Sequence, residues 1–128
     1  AKPTAVKVIV GAFLNLKAIT DYLKSQQYDV VVLCAGWKGR PNLEDTLFAG
    51  AVVEALQEEY FVSEDSALMA MRTYQQAKEN ILGFLANSSH VRRLQRLGIQ
   101  KDITYCVQHD LYDVVPILRG NELVVLSN

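Results

Sequence analysis

Residues 29–56, DVVVLCAGWKGRPNLEDTLFAGAVVEAL, carry the pattern on which the reading of this chain turns. Val30-Val31-Val32-Leu33 is a short, mostly β-branched apolar run, which reads as a buried strand. The loop Cys34-Ala35-Gly36-Trp37-Lys38-Gly39-Arg40-Pro41 follows it, with two glycines and two cations. Asn42 is a good N-cap, and Leu43 to Leu56 places apolar residues at helical spacing. Strand, glycine-bearing loop and helix N-terminus together suit an anion: loop amides point outward and the positive end of the helix dipole faces the ligand. The stretch therefore predicts the anion-binding corner of an α/β protein.

Upstream, Val6 to Phe13 is a first strand-like run, and Asn15 can cap a helix from Leu16 to about Ser25. With Val30 to Cys34 as the next strand this is a βαβ unit, which implies parallel strands and a right-handed crossover. Downstream, Glu64, Asp65 and Ser66 suit a helix first turn, with Ala67, Leu68, Met71 and Tyr74 along one side. A further helical segment is expected over Glu79 to Ala86. Ser88-Ser89 opens a basic helix, His90 to Leu97, which Gly98 ends. Ile103 to Val107 reads as a strand. Val114 to Leu118 and Glu122 to Leu126 flank Arg119-Gly120-Asn121, a hairpin signal, and Pro116 argues for an edge position. Gly50 disfavours its own helix, so it is expected to permit close packing. The expected fold is one α/β domain over residues 1–128, a three-layer α/β/α arrangement around a mixed, partly parallel sheet with a C-terminal β-hairpin.

Composition narrows the function. The chain has 128 residues, enough for one domain with its own core. Its formal net charge of −1 supplies no field toward nucleic acid or an anionic membrane. No apolar run spans a bilayer and no signal peptide opens the chain, while Ala1-Lys2-Pro3-Thr4 resembles a cut or processed end. The two cysteines, Cys34 and Cys106, match neither a zinc pattern nor a disulfide framework, so a reducing cytoplasm is expected.

Several side chains could do chemistry. Cys34 and Arg40 stand in the C-x5-R spacing with which thiol phosphatases wrap a phosphate. However, no His precedes Cys34 and Pro41 replaces the hydroxyl residue expected after the arginine; Trp37 also sits where such a loop wants glycine. The alternative for Cys34 is a small thiol at a strand end. Lys38 and Arg40 lie beside a helix N-terminus, which disfavours cations, so either they are solvated or they await an anion. Glu44 and Asp45 either complement the helix dipole or hold Mg²⁺ beside a phosphate. His90, Arg92, Arg93 and Arg96 are too few for a nucleic-acid surface. His90 could donate a proton, and the arginines could meet a second anionic group. Asp110 and Asp113 follow an expected strand end, where catalytic groups of α/β proteins often sit, and are also ordinary turn residues.

Taken together, these segments resemble the 2-phosphosulfolactate phosphatase family. The carrying residues are Val10 to Asn15, Cys34-Ala35-Gly36, Gly39-Arg40, Leu43-Glu44-Asp45 and Ala49-Gly50-Ala51. Further on they are Ser88, His90, Arg93-Leu94, Asp102 to Cys106, Asp110 and Asp113 to Pro116. The resemblance implies Mg²⁺-dependent hydrolysis of 2-phospho-3-sulfolactate, or of another small phosphorylated sulfonate or hydroxy acid, linked to coenzyme M metabolism. It implies substrate contacts from Cys34, Gly36, Gly39, Arg40, Asn42 and Arg93, metal contacts from Glu44 and Asp45, and catalysis by His90 and Asp110. Val91 departs from the glycine that commonly follows the histidine. Family members carry a further upstream half, so this chain resembles the C-terminal half alone. The missing half would be a partner, and the apolar surface left by its absence should drive self-association. The competing reading is a non-catalytic α/β domain that binds a small anion or serves assembly.

Overall fold

A computed structural model describes residues 7–98 and 100–126. Its central element is helix α2, Leu43–Leu56, whose N-cap Asn42 accepts a hydrogen bond from the Asp45 amide. Apolar residues surround this helix rather than forming one stripe, and it is accordingly internal, with Leu47, Ala49, Gly50, Ala51, Val52 and Leu56 buried. Helix α3, Asp65–Ala77, packs along it. The contact is close: a Cβ built on Gly50 would stand 2.0 Å from the Ala70 carbonyl oxygen. The packing role expected of Gly50 is thus explained by backbone against backbone.

Helix α1, Leu16–Gln26, follows a short 3-10 turn over Phe13–Asn15 and packs on α2. Three shorter helices complete the helical part: α4 Ile81–Leu85, α5 Ser89–Arg96 and α6 Gln100–Cys106. The main core joins Phe13, Leu47, Ala51, Tyr74, Ala77, Ile81, Leu85, Val91 and Ile103. Phe13 meets Phe48 edge-on, with ring centroids 5.7 Å apart, and stacks on Tyr74 at 6.2 Å. Among the described residues no helix is long and apolar enough to cross a membrane.

The expected hairpin forms as β1, Pro116–Arg119, against β2, Glu122–Val125, with Arg119 opposite Glu122. Pro116 is not at an edge. On its other side β1 meets residues 8–10, where Val10 N donates to Pro116 O at 3.0 Å and Leu118 N donates to Val8 O at 2.9 Å. The register leaves Val10 O facing the proline nitrogen, which has no hydrogen to give. The Asn15 amide supplies the donor instead, at 3.3 Å from Val10 O.

Two expected strands are corrected. Ile103 to Val107 falls largely within helix α6, where Ile103 and Val107 are one turn apart and both reach the main core. Packing at this four-residue spacing overrides the β-leaning composition. Val30 to Cys34 forms no strand: residues 29–35 make no backbone–backbone hydrogen bond among the described residues, and Val31 and Leu33 are 89% and 91% exposed. A strand draws its hydrogen bonds from a neighbour, and among the described residues none lies beside this one. The parallel sheet and three-layer arrangement therefore do not form among the described residues. The fold mixes helices with a small antiparallel sheet.

Candidate active site

Lys38-Gly39 make a two-residue turn. Trp37 N donates to Arg40 O at 2.8 Å and Arg40 N donates to Trp37 O at 3.0 Å. Lys38 and Gly39 have φ of 51° and 74°, the paired positive values of a tight hairpin turn. Glycine meets this at no cost, while Lys38 gives up about 1 kcal/mol. The turn sets Trp37 directly opposite Arg40, which directs both side chains to one face.

The start of α2 anchors this turn. Asp45 Oδ2 accepts from Gly36 N at 2.7 Å, and the Asp45 amide donates to Asn42 Oδ1 at 2.8 Å. Gly36 itself has φ of 69°, and a Cβ there would stand 2.4 Å from Arg40 O. Asn42 and Asp45 therefore hold the loop shape, and the Gly36 amide is engaged by Asp45 rather than turned outward. Cys34 Sγ lies 3.6 Å from Asp45 O. Cys34 is exposed on one side, but partial burial of its thiol, with the Asp45 charge adding to it, pushes the thiol up. A thiol held protonated is the opposite of an activated nucleophile.

Helix α5 brings the third component. Its N-cap Ser88 accepts from Val91 N at 3.1 Å and donates through Oγ to Glu44 Oε1 at 2.7 Å, joining the N-termini of α2 and α5. One and a half turns on, the Arg93 guanidinium lies over the Trp37 ring, 4.5 Å from its centroid. Glu44 Oε2 and Arg93 Nη2 are buried and have no hydrogen-bond partner among the described residues. Buried polar atoms are rarely left unmatched, so a free carboxylate oxygen at the start of α2 and a free guanidinium nitrogen on α5, two helices joined through Ser88, each offer a ligand a partner. The carboxylate at Glu44 and its neighbour Asp45 suit Mg²⁺, which takes one or two carboxylates together with phosphate oxygens and water. Among the described residues no three His, Cys, Asp or Glu side chains form a metal cluster.

The remaining candidates sit as follows. Arg40 and Gly39 are exposed on the turn, and Arg40 makes no ion pair among the described residues. His90 is half-buried in the first turn of α5, the helix that carries Arg93. Asp110 lies elsewhere: its Oδ1 accepts from Lys17 N at 2.7 Å at the start of α1, and its amide donates to Phe13 O at 3.0 Å. This cap gives Asp110 a structural task, and no described contact links it to the 34–45 corner. Trp37 and Ser88 were not among the residues expected to contact the substrate. Ser88 reads as a cap and as part of the family resemblance, and Trp37 as a misfit in a thiol-phosphatase loop. The available signal was an aromatic and an arginine flanking a two-residue Lys-Gly turn.

The family model described as 2-phosphosulpholactate phosphatase matches residues 1–121. A protein of Thermotoga petrophila named "Probable 2-phosphosulfolactate phosphatase" is 40% identical, over 93% of this chain and 51% of its own length. Proteins of the same name from Microcystis aeruginosa and Thermotoga maritima are 37% and 39% identical, over 92% and 93% of this chain and 51% of their own lengths. The chain thus spans about half the length of the curated relatives it matches. It belongs to the 2-phosphosulpholactate phosphatase family.

Proposed function

We propose that this chain forms part of a Mg²⁺-dependent cytoplasmic phosphatase that hydrolyses 2-phospho-3-sulfolactate to 3-sulfolactate and phosphate. The observation that supports this most is that Glu44 Oε2 and Arg93 Nη2, on helices α2 and α5 joined by the Ser88–Glu44 bond, are both buried and unpartnered among the described residues. Glu44 would hold the metal, with Asp45 beside it committed in part to the loop. Bound Mg²⁺ would supply charge neutralisation at the phosphoryl oxygens. Arg40, the Gly39 amide and Arg93 would bind the phosphate and a second anionic group, and His90 would protonate the leaving oxygen. The raised Cys34 thiol argues against a covalent cysteine route.

A further half, upstream as the resemblance implies, would supply further site residues and cover Val31 and Leu33; a second copy of this chain is the competing cover. That exposed run also supports a second reading, a non-catalytic domain that holds a small anion and serves assembly.

The test is phosphate release from 2-phosphosulfolactate, with and without Mg²⁺, by this chain and by the chain lengthened to the size of its relatives. Magnesium-dependent release by the longer protein is expected, and Cys34→Ser should retain it. Anion binding with no release in either form would favour the second reading.

A further inference from the structure

We propose that Trp37 is a positioning residue for the anion site, its indole face holding the Arg93 guanidinium in place without neutralising it. The inference rests on the reading of this corner as an anion site. A long arginine side chain can be fixed by a carboxylate or by an aromatic face. A carboxylate would cancel much of the charge an anionic ligand needs, whereas a stacked ring fixes the guanidinium plane and leaves its edge nitrogens free. Arg93 shows the second arrangement: its centroid distance to Trp37 is 4.5 Å, it makes no ion pair among the described residues, and Nη2 is buried and unmatched.

The ring gathers more than one cation. Lys38 Nζ lies 5.7 Å from the ring centroid, and Arg40 is the direct cross-turn partner of Trp37. The two cations at this ring repel one another, and a tetrahedral oxyanion would relieve that repulsion. Phosphate and sulfonate share this chemistry. Trp37 also ties α5 to the loop at a point separate from the Ser88–Glu44 bond, so its loss would free Arg93 while leaving Glu44 held.

Trp37 is the only tryptophan, so its emission reports on the site. Orthophosphate and, in a parallel titration, methanesulfonate are added to the chain in Mg²⁺, with affinity read by calorimetry and ring environment by fluorescence. The arm that saturates identifies which oxyanion the site prefers. We expect a saturable emission change, about tenfold weaker binding in Trp37→Leu, and binding within about threefold of the parent in Trp37→Phe, which keeps an aromatic face. Arg93→Ala should shift the emission before any anion is added. Unchanged affinity in Trp37→Leu, an equal loss in Trp37→Phe, or no emission shift in Arg93→Ala would overturn the positioning role alone. Binding of neither anion by the parent chain would overturn the anion-site reading, and this inference with it.

Discussion

One loop separates the run Val30–Leu33 from helix α2, and both are strongly apolar, yet Leu47 is 0% exposed while Val31 and Leu33 are 89% and 91% exposed. The helix completes its backbone hydrogen bonds within itself and needs neighbours only to bury side chains, which α1 and α3 provide. The extended run cannot complete its own hydrogen bonds and has no strand beside it among the described residues. Apolar sequence therefore produced a core in one place and an open surface in the other. The difference lies in where each element's partners come from.

The comparison is sharpest in paired truncations. Leu47→Ala should cost about 3 kcal/mol in denaturant unfolding, and Leu33→Ala less than about 0.5 kcal/mol in this chain. A large cost at Leu33 would show that the run is buried in solution. Gly50→Ala comes next, at about 2 kcal/mol, because the added Cβ meets the Ala70 backbone. Neutral behaviour there would mean that α2 and α3 lie farther apart. Asn42→Ala removes the cap of α2 and should cost about 1 kcal/mol.

The smallest effect is pH-dependent. Burial raises the Cys34 thiol, so the folded chain keeps this proton at pH values where the unfolded chain releases it. The stability it contributes is present below the ordinary thiol range and is lost as pH rises through the raised value. Cys34→Ser should flatten that alkaline decline, and alkylation of Cys34 should need higher pH than a free thiol requires. Rapid alkylation at neutral pH would contradict the assignment.

What the sequence made legible follows the same division. The caps at Asn42 and Ser88, the Gly120-Asn121 turn and the packing role of Gly50 are local signals, and each appears where expected. Val30–Leu33 carried a strand composition, but pairing is set by a neighbour that the run itself does not encode. Ile103 to Val107 reads as a strand by composition, whereas the four-residue separation of Ile103 and Val107 is the spacing that packs them on the core. In the candidate site, the resemblance gave Arg40 and Arg93 to the substrate and Glu44 and Asp45 alike to the metal. The contacts separate Asp45, engaged by Gly36, from Glu44, which keeps a free oxygen. Trp37 needed the fold, because Arg93 reaches it from a different helix.

The most direct test of the account is a calorimetric Mg²⁺ titration of the chain in saturating phosphate, comparing the parent with Glu44→Gln. The account predicts binding by the parent and at least about tenfold weaker binding by the variant, with the fold intact. Equal Mg²⁺ affinity in the two proteins would contradict the assignment of Glu44 as the residue that holds the metal.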